Sequence, residues 1–268
     1  MTMELNSRQE QVLEILLHQD EVRVTDLKEK FQVTEMTVRR DLEKLEQLGL
    51  ARRTFGGAIA VMKETTLNQR NTLMLEEKMQ IGRAAAALLR PGDSVFIDGG
   101  STNLQLAKAI PGGSAVTVVT NALNVALELL GKQVPTILIG GRLVETTGSA
   151  VGPVALDNLR KMAFTRVFLG ASGMSSRHGF SNSNMDETEI KKQAIRCGSE
   201  VNVLLDHSKF GQPALFSFAT LSDVHRIVVD KEPDEEAAAS CRAARVDILV
   251  ARSASAHSGD VNGGSVTD

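Results

Sequence analysis

The chain is 268 residues long, 42% hydrophobic and 24% charged, with a formal net charge of −3 and two cysteines, so it can fill one large core, or a small core and a medium one. Cys197 and Cys241 have no Cys or His at ligand spacing nearby, which excludes a disulfide framework and a zinc cluster. No run of eighteen apolar residues occurs, and Glu4, Glu10 and Glu14 stand where a secretion signal needs basic and then apolar residues, which predicts a cytoplasmic chain without membrane attachment.

Residues 1 to 60 read as three short helices and a hairpin. "SRQE" at Ser7 to Glu10 has the form of a capping box, the Ser7 hydroxyl accepting from a backbone N–H and Glu10 reaching back. Val12, Leu13, Leu16 and Leu17 follow at helical spacing. Thr25, opening "TDLKEKF", predicts a second cap. Thr34 predicts a third, for a helix from about Glu35 to Leu48 that Gly49 stops.

At about 100° per residue, Val38, Leu42 and Leu45 of this third helix share one face, flanked by Asp41 and Leu48, and that face is expected to pack on the two helices before it. Met36, Arg40, Glu43 and Lys44 point the other way, with Thr37 and Arg39 on the shoulders. A helix whose N-terminal half is exposed, preceded by a short helix and a tight turn, fits a DNA major groove. There arginines and the positive helix end hold phosphates while a side chain reads base edges. "LARRTFGGA" follows as a hairpin wing, with Arg52 and Arg53 near the DNA backbone and Gly56-Gly57 allowing a turn with positive φ. Charge alone serves an ordinary solvated helix equally well, and a net charge of −3 does not advertise a nucleic-acid binder. With no Trp or Tyr and nine Phe, the chain lacks the aromatic platforms on which single strands stack, whereas a duplex needs none.

Residues 61 to 77, with "KETTLNQRN", lack an apolar period and read as an exposed linker. From 78 to about 250, helix-like segments alternate with the runs "SVFID", "AVTVVT", "TILIG", "RVFLG", "VNVLL" and "RIVVD". This pattern predicts an α/β domain with a mostly parallel sheet covered on both faces. Residues 251 to 268 are small, polar and aperiodic, and are expected to form a disordered tail.

The predicted strands end in Gly, hydroxyl or amide residues: "IDGGSTN", "VTNAL", "IGGRL", "LGASG" and "LDHSKFG". In an open parallel sheet the carboxyl ends line one crevice, where ligands bind. "GGST", Gly99 to Thr102, has the chemistry of a phosphate cradle, since glycine-turn N–H groups at a helix start attract anions and hydroxyls add donors. Asp98 and Asn121 suit sugar hydroxyls, and Lys209 can bring a cation near a phosphate or a carbonyl. One glycine-rich turn is more often a plain connector than a site; five polar strand ends on one edge reverse that weighting.

"MTVRRDLEKLEQLGLARRTFGGA" resembles the winged helix-turn-helix signature of the DeoR family of bacterial transcriptional repressors. Thr37, Arg39, Arg40, Asp41, Leu42, Leu45, Gly49, Leu50, Arg53, Gly56, Gly57 and Ala58 occupy matching positions, and Phe55 stands where the family often has His. The second half resembles that family's effector domain in "DGGSTNLQLA", "TNALNVA", "GGRL" with "GSAVGPVA", "VFLGASG", "HGFSNSNMDETEIKK" and "LLDHSKFG", so the two matches together span about Leu5 to Val250. The resemblance implies that Thr37, Arg39 and Arg40 contact operator DNA and that Asp41 ties the helix to its neighbours. It also implies a sensor domain similar in fold to ribose-5-phosphate isomerase-like enzymes, binding a phosphorylated sugar. Carried over by position, Asp98, Gly100, Ser101, Thr102, Thr120, Asn121, Ser149, Gly152, Gly170, Ser172, Gly173, Glu187 and Lys209 fall in or near the pocket.

The expected organisation is a winged helix-turn-helix over 1–60, with the helix-turn-helix at about 22–48, a linker over 61–77 and a sugar-phosphate sensor domain over 78–250. The expected function is a DNA-binding repressor of a carbohydrate-utilisation operon, controlled by a phosphorylated sugar, with neither metal nor cofactor. Met36, Thr37, Arg39, Arg40, Lys44, Arg52, Arg53, Gly56 and Gly57 are the expected contacts to double-stranded operator DNA. One short helix makes too few base contacts for high specificity, so a homo-oligomer, dimer or higher, is expected. The alternative is a sugar-phosphate isomerase or deaminase-like enzyme with Asp98, Glu187 or Asp206 as general base and His178 or His207 assisting; such an enzyme has no use for the N-terminal reader.

Overall fold

The computed structural model describes residues 5–19, 21–48, 50–60 and 67–251. Helix α1 (Ser7–Gln19) opens on a capping box one residue earlier than "SRQE" suggests. Asn6 is the cap, its Oδ1 accepting from the Gln9 N–H at 3.0 Å, while the Gln9 side chain accepts from the Asn6 N–H at 3.1 Å. Asn and Gln serve these positions as well as Ser and Glu do, so two overlapping boxes are written in the sequence and the earlier one forms. After strand β1 (Glu21–Arg23), helix α2 (Val24–Phe31) begins one residue ahead of its predicted Thr25 cap. Arg23 stands at the cap without a side-chain bond, and the Thr25 hydroxyl turns instead to Asp26.

Gln32, in the left-handed region at φ 51°, makes the tight turn into helix α3 (Glu35–Gln47), which Thr34 caps as its sequence predicts, accepting from the Thr37 N–H at 3.2 Å. The predicted stop at Gly49 lies outside the described residues. Strands β2 (Ala51–Arg53) and β3 (Gly57–Ala60) then pair with β1 in the order β1-β3-β2, antiparallel throughout. Val38, Leu42 and Leu45 of α3 are buried with Val12, Leu13 and Leu16 of α1 and Leu27 of α2. Each fully buried Leu contributes about 1.5–3 kcal/mol.

Asp41, buried on this face, accepts from Arg8 Nε at 2.7 Å and Gln9 Nε2 at 3.0 Å and so ties α3 to the first turn of α1. Asp41→Asn removes the charge from both bonds. It is expected to lower stability by about 1–2 kcal/mol, seen as a lower urea midpoint at unchanged slope; an unmoved midpoint would show that the tie carries no load.

The wing departs from its sequence reading at the glycines. Neither Gly56 nor Gly57 has positive φ. Gly57 is needed for space, because a Cβ there would lie 1.7 Å from the Val22 carbonyl oxygen, in the close approach of β3 to β1.

Residues 67–77, read as an exposed connector, are largely helical: α4 (Leu67–Thr72) and the start of α5 (Leu75–Ala86). The part of the expected linker over 61–66, like the expected tail over 252–268, lies outside the described residues. Polar residues at helical spacing hid these turns, and their fixed points are tertiary. Leu73 packs on the N-terminal core, and the Leu67 N–H donates to the Thr146 carbonyl at 2.8 Å.

The rest follows in chain order as β4 (Ser94–Ile97), α6 (Ser101–Ala109), β5 (Thr117–Thr120), α7 (Leu123–Gly131), β6 (Thr136–Leu138), the hairpin β7 (Arg142–Val144) and β8 (Ser149–Val151), α8 (Pro153–Leu159) and β9 (Phe164–Gly170). Then come β10 (Gly173–Ser175), β11 (Gly179–Asn182), α9 (Met185–Cys197), β12 (Gly198–Leu205), β13 (Phe216–Ala219), β14 (Arg226–Val229), α10 (Glu235–Ala243) and β15 (Asp247–Val250). All six expected strands enter one parallel sheet of order β15-β14-β12-β9-β4-β5-β6, with β15 as an unpredicted, half-buried edge. Strands β10, β11 and β13 form a small antiparallel sheet beside it.

Alternate residues feed two cores, as a sheet covered on both faces requires. Val95, Ile97, Val118 and Val228 pack with α5, α6 and α7, whereas Phe96, Val119, Val203 and Val229 pack with α8, α9 and α10. No helix among the described residues is long and apolar enough to cross a membrane.

Candidate functional site

The first candidate surface is built on α3. Met36, Arg39 and Arg40 are exposed beyond the Thr34 cap, and Arg39 reaches only a 4.0 Å contact with Glu35. Thr37 is half-buried, its hydroxyl 2.9 Å from that of Thr34, and Lys44 is half-buried further along. On the wing Arg52 is exposed, while Arg53 is engaged: its N–H donates to Glu46 Oε1 at 2.9 Å and its guanidinium lies 3.5 Å from Glu46 Oε2. Arg53 therefore fastens the wing to α3. Gly56 is exposed beside Phe55, and Gly57 is buried beneath the wing. The fully exposed Phe55 ring stands at the tip.

The second candidate lies at the carboxyl edge of the parallel sheet, where the strand order reverses between β4 and β9. Asp98 follows β4 and is buried; its Oδ2 accepts from Lys191 Nζ and, at 3.4 Å, from the Gly170 N–H at the end of β9. Lys191 reaches in from α9, also donates to the Gly170 carbonyl at 2.9 Å, and lies over the Phe218 ring at 5.5 Å. Burial pushes the Asp98 carboxyl up from the usual carboxylate range against the pull of Lys191, and Glu187 adds to the rise. Glu187 is held by Asn182 Nδ2 at 2.9 Å, and Asn182 Oδ1 accepts from the Ser172 hydroxyl at 3.1 Å.

Gly100, at φ 124°, is the cap residue of α6, with Ser101 and Thr102 buried in its first turn and no side chain capping it. Asn103 donates to the Gly99 carbonyl at 3.3 Å, which leaves its Oδ1 buried without a partner. After β5, Thr120 Oγ1 accepts from the Ala122 N–H, and Asn121 Nδ2 donates to the Ala150 carbonyl at 3.1 Å, leaving Asn121 Oδ1 unpartnered. The β7–β8 hairpin lies across these strand ends. Ser149 Oγ, buried and unpartnered, sits 2.2 Å from where a Cβ on Gly99 would stand, and Thr147 Oγ1 is unpartnered in the same loop. Gly152 caps α8 just beyond. Buried polar groups without partners each cost about 1–3 kcal/mol, and these gather around Asp98 and the start of α6.

Lys209 sits in a short 3-10 turn after β12, beside the buried Asp206, which caps the turn through the Ser208 N–H. Lys209 and Lys78 hold the Asp206 carboxyl below its usual range despite burial. Burial lowers Lys78 to about 8, Asp206 and Glu77 opposing and Lys209 and Arg70 assisting. Unfolded Lys78 binds its proton up to its ordinary value, so between about pH 8 and 10.5 the unfolded chain holds more protons than the folded one. Stability therefore rises with pH across that window through this residue, by at most about 3 kcal/mol. Lys78→Met is expected to abolish that rise in pH-dependent unfolding; equal rises in both proteins would refute the assignment.

Reading the sequence missed Asn103, Thr147, Asn182, Lys191 and Lys78. Asn103 and Lys191 lie inside the motifs that drew notice, but a helical Lys carries no sign that it turns inward. Gly173 serves packing, its absent Cβ admitting the Gln212 carbonyl. The histidines of the enzyme reading differ in setting, and His207 shares its turn with Lys209. His178 is exposed on an open hollow of about 480 Å³, and His207 Nδ1 is engaged with Asp230 at 2.6 Å. Among the described residues no group of three metal-ligating side chains occurs.

Residues 8–64 match the family model for a DeoR-like helix-turn-helix domain, and residues 74–231 that for a DeoR C terminal sensor domain. The chain is 33% identical over 231 residues to the uncharacterized HTH-type transcriptional regulator YulB of Bacillus subtilis, covering 85% of this chain and 89% of that one. It is 32% identical over 241 residues to the lactose phosphotransferase system repressor of Streptococcus mutans, covering 87% and 95%. Ribose 5-phosphate isomerase A of Methanocaldococcus jannaschii is similar over 50% of this chain and 53% of its own, at a TM-score of 0.37 and 16% identity.

Proposed function

This chain belongs to the DeoR family of transcriptional regulators, and from that premise we propose that it is a repressor whose hold on operator DNA is set by a phosphorylated sugar at the switch point of its sensor sheet. The observation that carries the effector reading is the set of buried, unpartnered oxygens of Asn103, Asn121 and Ser149 around the Asp98 carboxylate. Two are amide oxygens whose N–H₂ groups are already committed, so they can only accept. A pocket floor of acceptors calls for a ligand rich in hydroxyl donors. A phosphate on the same ligand suits the first turn of α6, where the chain offers backbone N–H groups and the Ser101 and Thr102 hydroxyls, with Lys209 as counter-charge. The repressor from Streptococcus mutans is named for a lactose phosphotransferase system, which fits an effector of this class.

On the DNA side, Met36 and Arg40 supply the groove face, Thr37, Arg39 and Lys44 its margins, and Arg52 and the Gly56 backbone the wing, with Arg53 and Gly57 holding the wing in place. Two such faces in an oligomer would read a repeated or symmetric operator.

The test pairs two assays. Thermal unfolding is followed with ribose 5-phosphate, glucose 6-phosphate, fructose 6-phosphate, fructose 1-phosphate and glycerol 3-phosphate, each against its unphosphorylated counterpart. Any compound that stabilises the protein is then titrated against an operator duplex selected from a random pool, at stated salt. One phosphorylated sugar is expected to raise the unfolding temperature and to change operator affinity roughly 5- to 150-fold. Reciprocity requires operator to change that sugar's affinity by the same factor. Sugar affinity indifferent to saturating operator would end the proposal.

A further inference from the structure

We propose that Lys78 is a positioning residue through which the occupied sensor cleft moves the DNA-binding domain; this rests on the placing of a phosphate beside Lys209. Lys78 is buried on α5, and its Nζ donates to the carbonyls of Arg70 at 2.7 Å and Leu73 at 2.5 Å, closing the joint between α4 and α5. Leu73 is shared between the two halves of the chain: its carbonyl is held by Lys78 while its side chain packs on the N-terminal core, which also takes Leu48 from the end of α3. The same ammonium is attracted by Asp206 and repelled by Lys209. Thus one buried cation holds the α4–α5 joint at the foot of the N-terminal domain and lies in the field of the charged groups that follow β12.

Two further features bear on the joint. Met74, between α4 and α5, holds φ 53°, a left-handed conformation that costs a non-glycine residue free energy and persists only while its surroundings enforce it. The far end of α4 is anchored by the Leu67 N–H on the Thr146 carbonyl, one residue from the unpartnered Thr147 hydroxyl. α4 is therefore fastened at one end to the β7–β8 loop at the cleft and at the other to Lys78 of α5.

The electrostatic step is simple. An anion at Lys209 cancels the repulsion that Lys209 exerts on Lys78 and adds an attraction, drawing the ammonium toward Asp206. Its bonds to the Arg70 and Leu73 carbonyls lengthen, Met74 relaxes, and Leu73 shifts against the α3 core. A charge at position 78 is required, because a neutral side chain feels no pull.

Lys209→Glu places a negative charge where the phosphate is proposed to lie, so the test needs no identified effector. Operator affinity is measured for the full-length wild type, Lys209→Glu, Lys78→Gln and the double variant, and amide exchange of residues 67–74 is followed in each. Lys209→Glu is expected to change operator affinity at least fivefold and to speed exchange across 67–74. Lys78→Gln sets the baseline affinity against which the double variant is compared. In the double variant the effect of Lys209→Glu is expected to vanish. An equal effect of Lys209→Glu with and without Lys78 overturns the proposal, as does an effect on affinity with exchange at 67–74 unmoved. Should Lys78→Gln fail to fold, Lys78→Arg, which keeps charge and donors, must retain the Lys209→Glu response, and its loss overturns the proposal equally. If the coupling is found but none of the five sugar phosphates stabilises the wild type, the effector class fails while the role of Lys78 stands.

Discussion

Ser149→Ala is expected to leave the free protein as stable as wild type, or up to about 1–2 kcal/mol more stable, while removing much of its response to ligand. The hydroxyl is buried without a partner, and deleting an unsatisfied group removes its desolvation cost. A ligand at 1,000 times its dissociation constant stabilises by about 4 kcal/mol, and losing one hydrogen bond from that complex takes away about 1–3 kcal/mol. The opposite signs are the diagnostic: a purely structural serine would lose stability in the free protein and keep the ligand shift. Asp98→Asn should differ in kind. It strands Lys191 as a buried cation, so the free protein itself is expected to lose about 3–5 kcal/mol, along with the ligand response. Both variants are read by urea unfolding with and without the stabilising sugar phosphate. A full ligand shift in Ser149→Ala would remove the hydroxyl from the site.

Replacing both Arg39 and Arg40 by Ala is expected to weaken operator binding by about 2–6 kcal/mol, a hundredfold or more in the middle of that range, with the fold intact because both side chains are exposed. The single changes separate the roles. A base-reading arginine costs about 1–3 kcal/mol and relaxes the preference at one position, whereas a phosphate-binding one weakens all sequences alike and lowers the salt dependence by about one charge. Arg40, on the outward face of α3, is expected to behave in the first way, and Arg39, on the shoulder near Glu35, in the second. Unaltered affinity in the double variant would move the DNA surface away from α3.

The reading of α3 from its sequence needed only its own residues. The Thr34 cap, the buried Val38, Leu42 and Leu45 and the exposed Met36 and Arg40 are consequences of a 3.6-residue period, and each proved to be where that period puts it. The sheet was legible for the same reason, since runs such as "VNVLL" are long enough to require burial on both faces. Where two local solutions competed, as in the overlapping boxes at Asn6 and Ser7, the sequence did not choose between them. Gly57 was singled out on residue type but for the wrong cause, because the Val22 carbonyl that demands a glycine lies on another strand.

The sequence by itself determined the three N-terminal helices and six strands of the parallel sheet, which face of α3 is wet, and that polar residues end those strands. Those properties are set by neighbours within about four residues, whose spacing the chain carries in plain order. Tertiary structure alone decided that Lys191 meets Asp98 from 93 residues away, that Ser149 closes over Gly99, and that Lys78 holds the Leu73 carbonyl within the field of Asp206. Those contacts follow from the order of strands in the sheet and the crossing of helices over it. They are won by burying whole faces at once, so no short stretch of sequence records them.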